Sequence, residues 1–147
     1  MKTKFIKNLC LALFGLIIMS SCGGKQTENT SAEPGPDADI EVIYFYGKQR
    51  CSSCVAMEKY AKEAIDSMFS EKVKDGVIAF KTIDITTPEG EKVADLFEVT
   101  SSSLFIVDHT PDKTEKVNMT AFGFRNARNN RQAYKQGIID QINKFLD

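Results

Sequence analysis

The 147-residue chain has no tryptophan, a single histidine, four prolines and four cysteines, and its charges nearly cancel. Each scarcity excludes something. A formal net charge of −1 leaves no basic excess for gripping a phosphate backbone, so no nucleic-acid partner is expected. With His109 as the sole imidazole, a four-ligand zinc site would have to be built almost entirely from thiolates, and a structural metal site is not expected. No apolar run approaches the roughly 20 residues of a membrane-spanning helix, because the longest, Leu9 to Met19, rises only about 16 Å. There is no internal repeat and no flavin or nicotinamide signature, so no cofactor is expected.

What is present begins with a leader. Lys2, Lys4 and Lys7 precede the apolar run, small residues Ser20 and Ser21 follow it, and residues 1–21 read as a targeting signal rather than as part of a fold. The run ends at Ser21-Cys22-Gly23-Gly24, which resembles the bacterial lipobox, with Met19 standing where leucine is commoner. That resemblance implies lipidation of Cys22, a membrane anchor through that lipid, and a location in the bacterial cell envelope with the domain facing the periplasm; an ordinary cleaved signal is the alternative. Residues 22–39 then form a lipidated cysteine and tether, rich in Gly, Ser, Thr, Pro and charge, of which the seventeen after Cys22 reach about 23 Å on average. Without the three leader lysines, 19 basic side chains become 16 against 20 acidic ones, a net of −4. Cys10 leaves with the leader and Cys22 carries lipid, so Cys51 and Cys54 are the thiols that remain. In an oxidising compartment they form a disulfide unless something reduces it.

The folded domain is expected over residues 40–147. Ile40-Glu41-Val42-Ile43-Tyr44-Phe45-Tyr46 is almost continuously apolar, β-branched or aromatic, the pattern of a central strand covered on both faces. After the cysteines, Met57, Tyr60, Ala61, Ala64, Ile65, Met68 and Phe69 recur at three and four and predict a helix with one buried stripe, ending before Asp75-Gly76. Val77 to Ile85 reads as a second strand, and Thr87-Pro88-Glu89 opens a short helix to about Phe97. Leu104 to Val107 and Glu115 to Met119 pair as a hairpin across the turn at Thr110-Pro111-Asp112, and the spacing of Tyr134, Ile138, Ile142, Phe145 and Leu146 predicts a closing helix. The order β-α-β-α-β-β-α calls for an α/β fold, a four-stranded mixed sheet with helices on both faces.

Cys51 and Cys54 stand three apart where the first strand gives way to the first helix. As a staple, a disulfide over so short a loop is inefficient, removing only about 2 kcal/mol of unfolded-state freedom. As a redox pair, it has what the chemistry needs: Cys51 at a helix N-terminus, where unpaired N–H groups stabilise a thiolate, Lys48 and Arg50 adding positive charge, and Cys54 one turn on to resolve a mixed disulfide. The intervening Ser52-Ser53 neither stiffens the turn nor adds a titrating group. It does not fix the direction of electron flow, since about 30 mV is only about 1.4 kcal/mol for a two-electron couple. Met57 with His109 or Met119 is the alternative soft site for Cu(I); the plain readings are a core methionine and an exposed turn histidine. Arg125, Arg128 and Arg131 read as a solvated loop and helix start.

A cysteine pair just after the first strand of this β-α-β-α-β-β-α order resembles the thioredoxin-like fold in minimal form, without its extra first strand and helix. The resemblance covers residues 40–147 and implies attack by Cys51 and resolution by Cys54. Two departures stand out. Phe45 occupies the position of thioredoxin's buried aspartate, and Arg50 that of the tryptophan before the first cysteine. Aligning Val99-Thr100-Ser101-Ser102-Ser103-Leu104 on the cis-proline segment puts Ser103 at the proline, where a cis bond would cost about 3 kcal/mol, so a trans peptide is expected. Ser103 is a candidate to bond a thiolate or a partner backbone, or is a plain loop residue. Gly123, between Phe122 and Phe124, is expected to let the backbone pass near the cysteines, with the two rings framing a peptide groove or closing the core. Tyr44-Phe45-Tyr46-Gly47-Lys48-Gln49-Arg50-Cys51, the Val99–Leu104 segment and Asn126-Ala127-Arg128 are similar to the nitrophenyl compound nitroreductase subunit ArsF family, a name that implies an accessory redox role. The expected function is a membrane-anchored thiol-disulfide oxidoreductase, its partners exported protein thiols or disulfides and an upstream membrane or periplasmic electron donor. A copper chaperone or a non-enzymatic redox accessory subunit using the same pair is the alternative.

Overall fold

A computed structural model describes residues 37–111 and 113–147. The leader of residues 1–21, Cys10, Cys22, the tether up to Pro36, and Asp112 of the hairpin turn lie outside the described residues. The elements run β1 (Ile40–Tyr46), α1 (Ser52–Met68), α2 (Ser70–Lys74), β2 (Ile78–Asp84), α3 (Pro88–Leu96), β3 (Ser103–Asp108), β4 (Glu115–Asn118), α4 (Thr120–Asn126) and α5 (Arg131–Leu146).

The strands form one sheet in the order β2-β1-β3-β4, with β1 parallel to β2 and antiparallel to β3, and β3 antiparallel to β4. This is the mixed four-stranded α/β architecture expected. A parallel β1–β2 pair needs a crossover, which α1 and α2 supply, while β3 and β4 need only a turn. Successive side chains of a strand face opposite ways, and β1 divides its own between two cores. Ile40, Val42 and Tyr44 join Leu104 and Ile106 of β3 beneath α1 and α5. Ile43 and Phe45 join Phe105, Val107 and Val93 of α3 on the other face. Phe45, the residue at the buried-aspartate position, packs against Phe97 and Phe105 with ring centroids 5.2 and 5.9 Å apart.

The helical regions depart from expectation at three places. The stripe ends one residue early: α1 stops at Met68, which is exposed, and Phe69 turns inward to take the buried place. A separate short helix, α2, then fills the stretch up to Asp75. The Phe122-Gly123-Phe124 segment is not a loop beside the cysteines but lies within α4, where a Cβ on Gly123 would collide with the Met57 side chain. Gly123 therefore permits close packing of α4 on α1, and Phe122 lies in turn against Gly137 of α5.

His109 is not an exposed turn residue either. Its Nε2 lies 2.9 Å from Glu41 Oε2, and its backbone N–H donates to the Asp39 carbonyl at 2.7 Å. Glu41 is fully buried in β1, and its other oxygen meets Lys81 of β2 at 2.5 Å, with Lys81 also 3.0 Å from Asp37. Burial opposes the charge on Lys81, but its bonds to Glu41 and Asp37 prevail and raise its pKa. A buried carboxylate requires such partners, which is why the histidine folds back onto the strand.

Candidate functional site

The first turn of α1 builds the site. Cys51 enters with extended dihedrals, φ −72° and ψ 162°, so it is the N-cap, and its Sγ accepts the backbone N–H of Cys54 at 3.1 Å. A serine or aspartate ordinarily holds this place with a side-chain oxygen; here a sulfur does. The two cysteines form a disulfide with Cα atoms 5.0 Å apart. Cys51 is exposed and Cys54 is 6% exposed, so the two cysteines differ in access.

The electrostatics of that turn are one-sided. The first turn of α1 contains no acidic residue, whereas α3 opens with Pro88, Glu89 and Glu91 behind its Thr87 cap. An acid there would complement the helix dipole, as it does in α3, but would also compete with a thiolate for it. Leaving the turn neutral reserves the N-terminal field for Cys51.

Behind the disulfide, two buried tyrosines donate to carbonyls of α1: Tyr44 Oη to Cys54 O at 2.8 Å, and Tyr134 Oη to Met57 O at 2.9 Å. Each satisfies a hydroxyl that would otherwise be costly to bury and fixes the first turns of α1 against β1 and α5. Burial, with a smaller contribution from Tyr44, pushes the Tyr134 phenol far above its ordinary range.

Arg50 lies over the Tyr46 and Tyr44 rings, 5.0 and 5.6 Å from their centroids, and pairs with Glu58. Partial burial works against its charge, yet bonds to Glu58 and to the Tyr44 hydroxyl outweigh that and raise its pKa. Glu58, two turns along α1, was not singled out by the sequence, since an Arg–Glu pair eight residues apart across a strand-to-helix turn has no periodic signature.

A cleft opens around the pair. Arg50, Cys51 and Cys54 form one wall, and Thr100, Ser101, Ser102 and Phe124 face them. No cis peptide bond occurs among the described residues, so Ser102–Ser103 is trans. The Ser103 hydroxyl donates to the Ser101 carbonyl at 3.1 Å, staying within its own loop, and the cleft is lined by Ser102 instead. Gly123 sits behind the wall, under Met57, while the adjacent Phe124 reaches the cleft. Met57 is fully buried in the core. His109 lies by Asp39, at the end of β1 remote from the cysteines, so it does not join them.

No family model matches the chain, and no curated protein does. Among solved structures, the zinc-bound form of human ERp44 superposes over 78% of this chain with a TM-score of 0.51 and 18% identity. The match covers 29% of that chain, so this protein spans less than a third of ERp44's length. A thioredoxin from Thermus thermophilus matches over 67% of this chain and 72% of its own, at 16% identity and a TM-score of 0.39. The fold is a minimal thioredoxin-like α/β fold with a Cys-x-x-Cys pair at the start of its first helix.

Proposed function

We propose that this chain is a thiol-disulfide oxidoreductase that exchanges electrons with exported proteins through Cys51 and Cys54, anchored to the cell envelope by lipid on Cys22. The observation that carries the redox assignment is the first turn of α1: an exposed cysteine as N-cap, bonded by its sulfur to the backbone N–H of the cysteine it is oxidised with. In the reducing direction, the Cys51 thiolate attacks a substrate disulfide, forming a Cys51–substrate bond and releasing the other substrate sulfur as a thiolate. Cys54 then loses its proton and attacks Cys51 Sγ, forming the intramolecular disulfide and freeing the second substrate thiolate. Two electrons pass to the substrate, and the reverse sequence oxidises a dithiol.

The lipid anchor and periplasmic exposure rest on the Ser21-Cys22-Gly23-Gly24 pattern behind the apolar leader. Kinship with the nitrophenyl compound nitroreductase subunit ArsF family rests on the Tyr44–Cys51, Val99–Leu104 and Asn126–Arg128 segments, and extends to a redox role rather than to nitroreduction. A copper site draws little support, because His109 is committed to Glu41 and Met57 is sealed in the core.

Trapping tests the assignment. Cys54→Ser in the full-length chain should accumulate mixed disulfides with envelope proteins, reversible by dithiothreitol and abolished by adding Cys51→Ser. No adducts, together with a disulfide that resists a thioredoxin-type reducing system, would end the enzyme reading.

A further inference from the structure

Three observations converge on Glu58. Arg50 is the one ionisable side chain other than the two cysteines among the described residues that line the cleft, so its guanidinium is the formal charge that this lining presents beside the sulfurs. That guanidinium is held in place, seated over the rings of Tyr46 and of Tyr44, whose hydroxyl donates to the Cys54 carbonyl. Finally, the remaining face of the guanidinium is taken by Glu58, the first acidic residue of α1. Glu58 lies outside the cleft, one helical turn beyond Cys54 on the same side of α1, and both side chains of the pair are partly exposed, at 30% and 28%.

We propose that Glu58, acting through Arg50, is a positioning residue that sets the acidity of the Cys51 thiol and thereby the redox poise of the pair. The proposal rests on the redox reading of these cysteines, which it deepens. Reducing the disulfide takes two electrons and leaves Cys51 as a thiolate, with one proton taken up at Cys54. Whatever stabilises that thiolate favours the reduced form and makes the protein a stronger oxidant. An uncompensated Arg50 would do so. Glu58 compensates it, holding the pair toward the reducing side. The charges that bear on Cys51 from its own segment are Arg50 and the exposed Lys48; the facing wall, Thr100 to Ser102, Ile85 and Phe124, carries none.

The experiment is a redox titration of the full-length chain against glutathione, with the pH dependence of Cys51 alkylation measured on the Cys51 peptide by mass spectrometry in a Cys54→Ser background. Glu58→Gln should shift the thiol-disulfide equilibrium about threefold to tenfold toward the dithiol and lower the Cys51 pKa in step. Glu58→Asp should restore both, and Arg50→Gln should move both the opposite way. In Arg50→Gln/Glu58→Gln the effect of Glu58 should vanish, because it has no charge left to act through. A Glu58→Gln protein that is less heat-stable but unchanged in equilibrium constant and thiol pKa would overturn the proposal, as would a shift of the opposite sign. Neither readout requires a protein substrate, so failure to trap partners leaves this measurement intact.

Discussion

Tyr134 shows how a single side chain can define a region. It is fully buried, its ring stacks on Phe122 of α4 at 6.0 Å, and its hydroxyl holds the Met57 carbonyl of α1. Its phenol is raised by burial, so the folded state keeps the proton more tightly than the unfolded chain, whose tyrosines ionise near pH ~10. The stabilisation from the neutral phenol is therefore complete below that value and is lost as pH climbs above it toward the raised folded-state pKa. Urea unfolding of the wild type should weaken more steeply above pH ~10 than that of Tyr134→Phe, while the tyrosinate absorbance of the folded proteins stays the same through that range. Other residues differed in how far the sequence revealed them. Cys51 and Cys54 were legible because their spacing and their place after an apolar strand carry the chemistry locally. Glu41, Glu58 and His109 were not, because each owes its role to a partner brought up by the fold: His109 is 68 residues from the carboxylate it bonds.

Among the elements, those with long apolar periodicity were readable and those held by packing were not. α1 and α5 announced themselves by stripes at three and four, as did the strands by their β-branched runs. α4 has seven residues, a glycine at its centre and no amphipathic stripe of its own, and it is stabilised by Gly123 against Met57 and Phe122 against Gly137. Close approach also governs α3. Its first turn comes so near the end of β2 that a Cβ on Gly90 would run into the Asp84 carbonyl, which is backbone and cannot swing aside. Gly90→Ala should lower stability by about 1–3 kcal/mol, seen as a reduced urea midpoint with unchanged slope. Gly123→Ala, whose obstacle is a flexible methionine side chain, should cost less.

At the scale of the whole molecule, the sheet keeps its two charged constellations apart. Glu41 stands near the start of β1 with Lys81 in register with Ile43, and β1 ends at the loop that leads to Cys51, so about 10 to 17 Å of strand lies between them. Separation beyond the ~8 Å screening length makes them electrostatically independent. Glu41→Gln should therefore destabilise the protein by about 3 kcal/mol in urea unfolding, through loss of the buried charge facing Lys81, yet leave the glutathione equilibrium of the cysteine pair within about twofold of wild type. The mixed character of the sheet was accessible from the sequence, since a helical crossover permits a parallel neighbour and a short turn an antiparallel one, but the order β2-β1-β3-β4, which puts β3 beside β1, was not.

Under the proposed lipid anchor, that separation also sets which way the domain would face. The chain enters at the Glu41 end, so a protein tied through Cys22 is held by one pole and offers its reactive sulfur from the other. A soluble partner arriving from the far side meets Cys51 at once. Under the same proposal, a donor embedded in that membrane would meet it only if the domain turned over, past a body whose radius of gyration is about 13 Å. The number of residues between Cys22 and β1, rather than anything in the cleft, would then govern how evenly the pair is shared between the two.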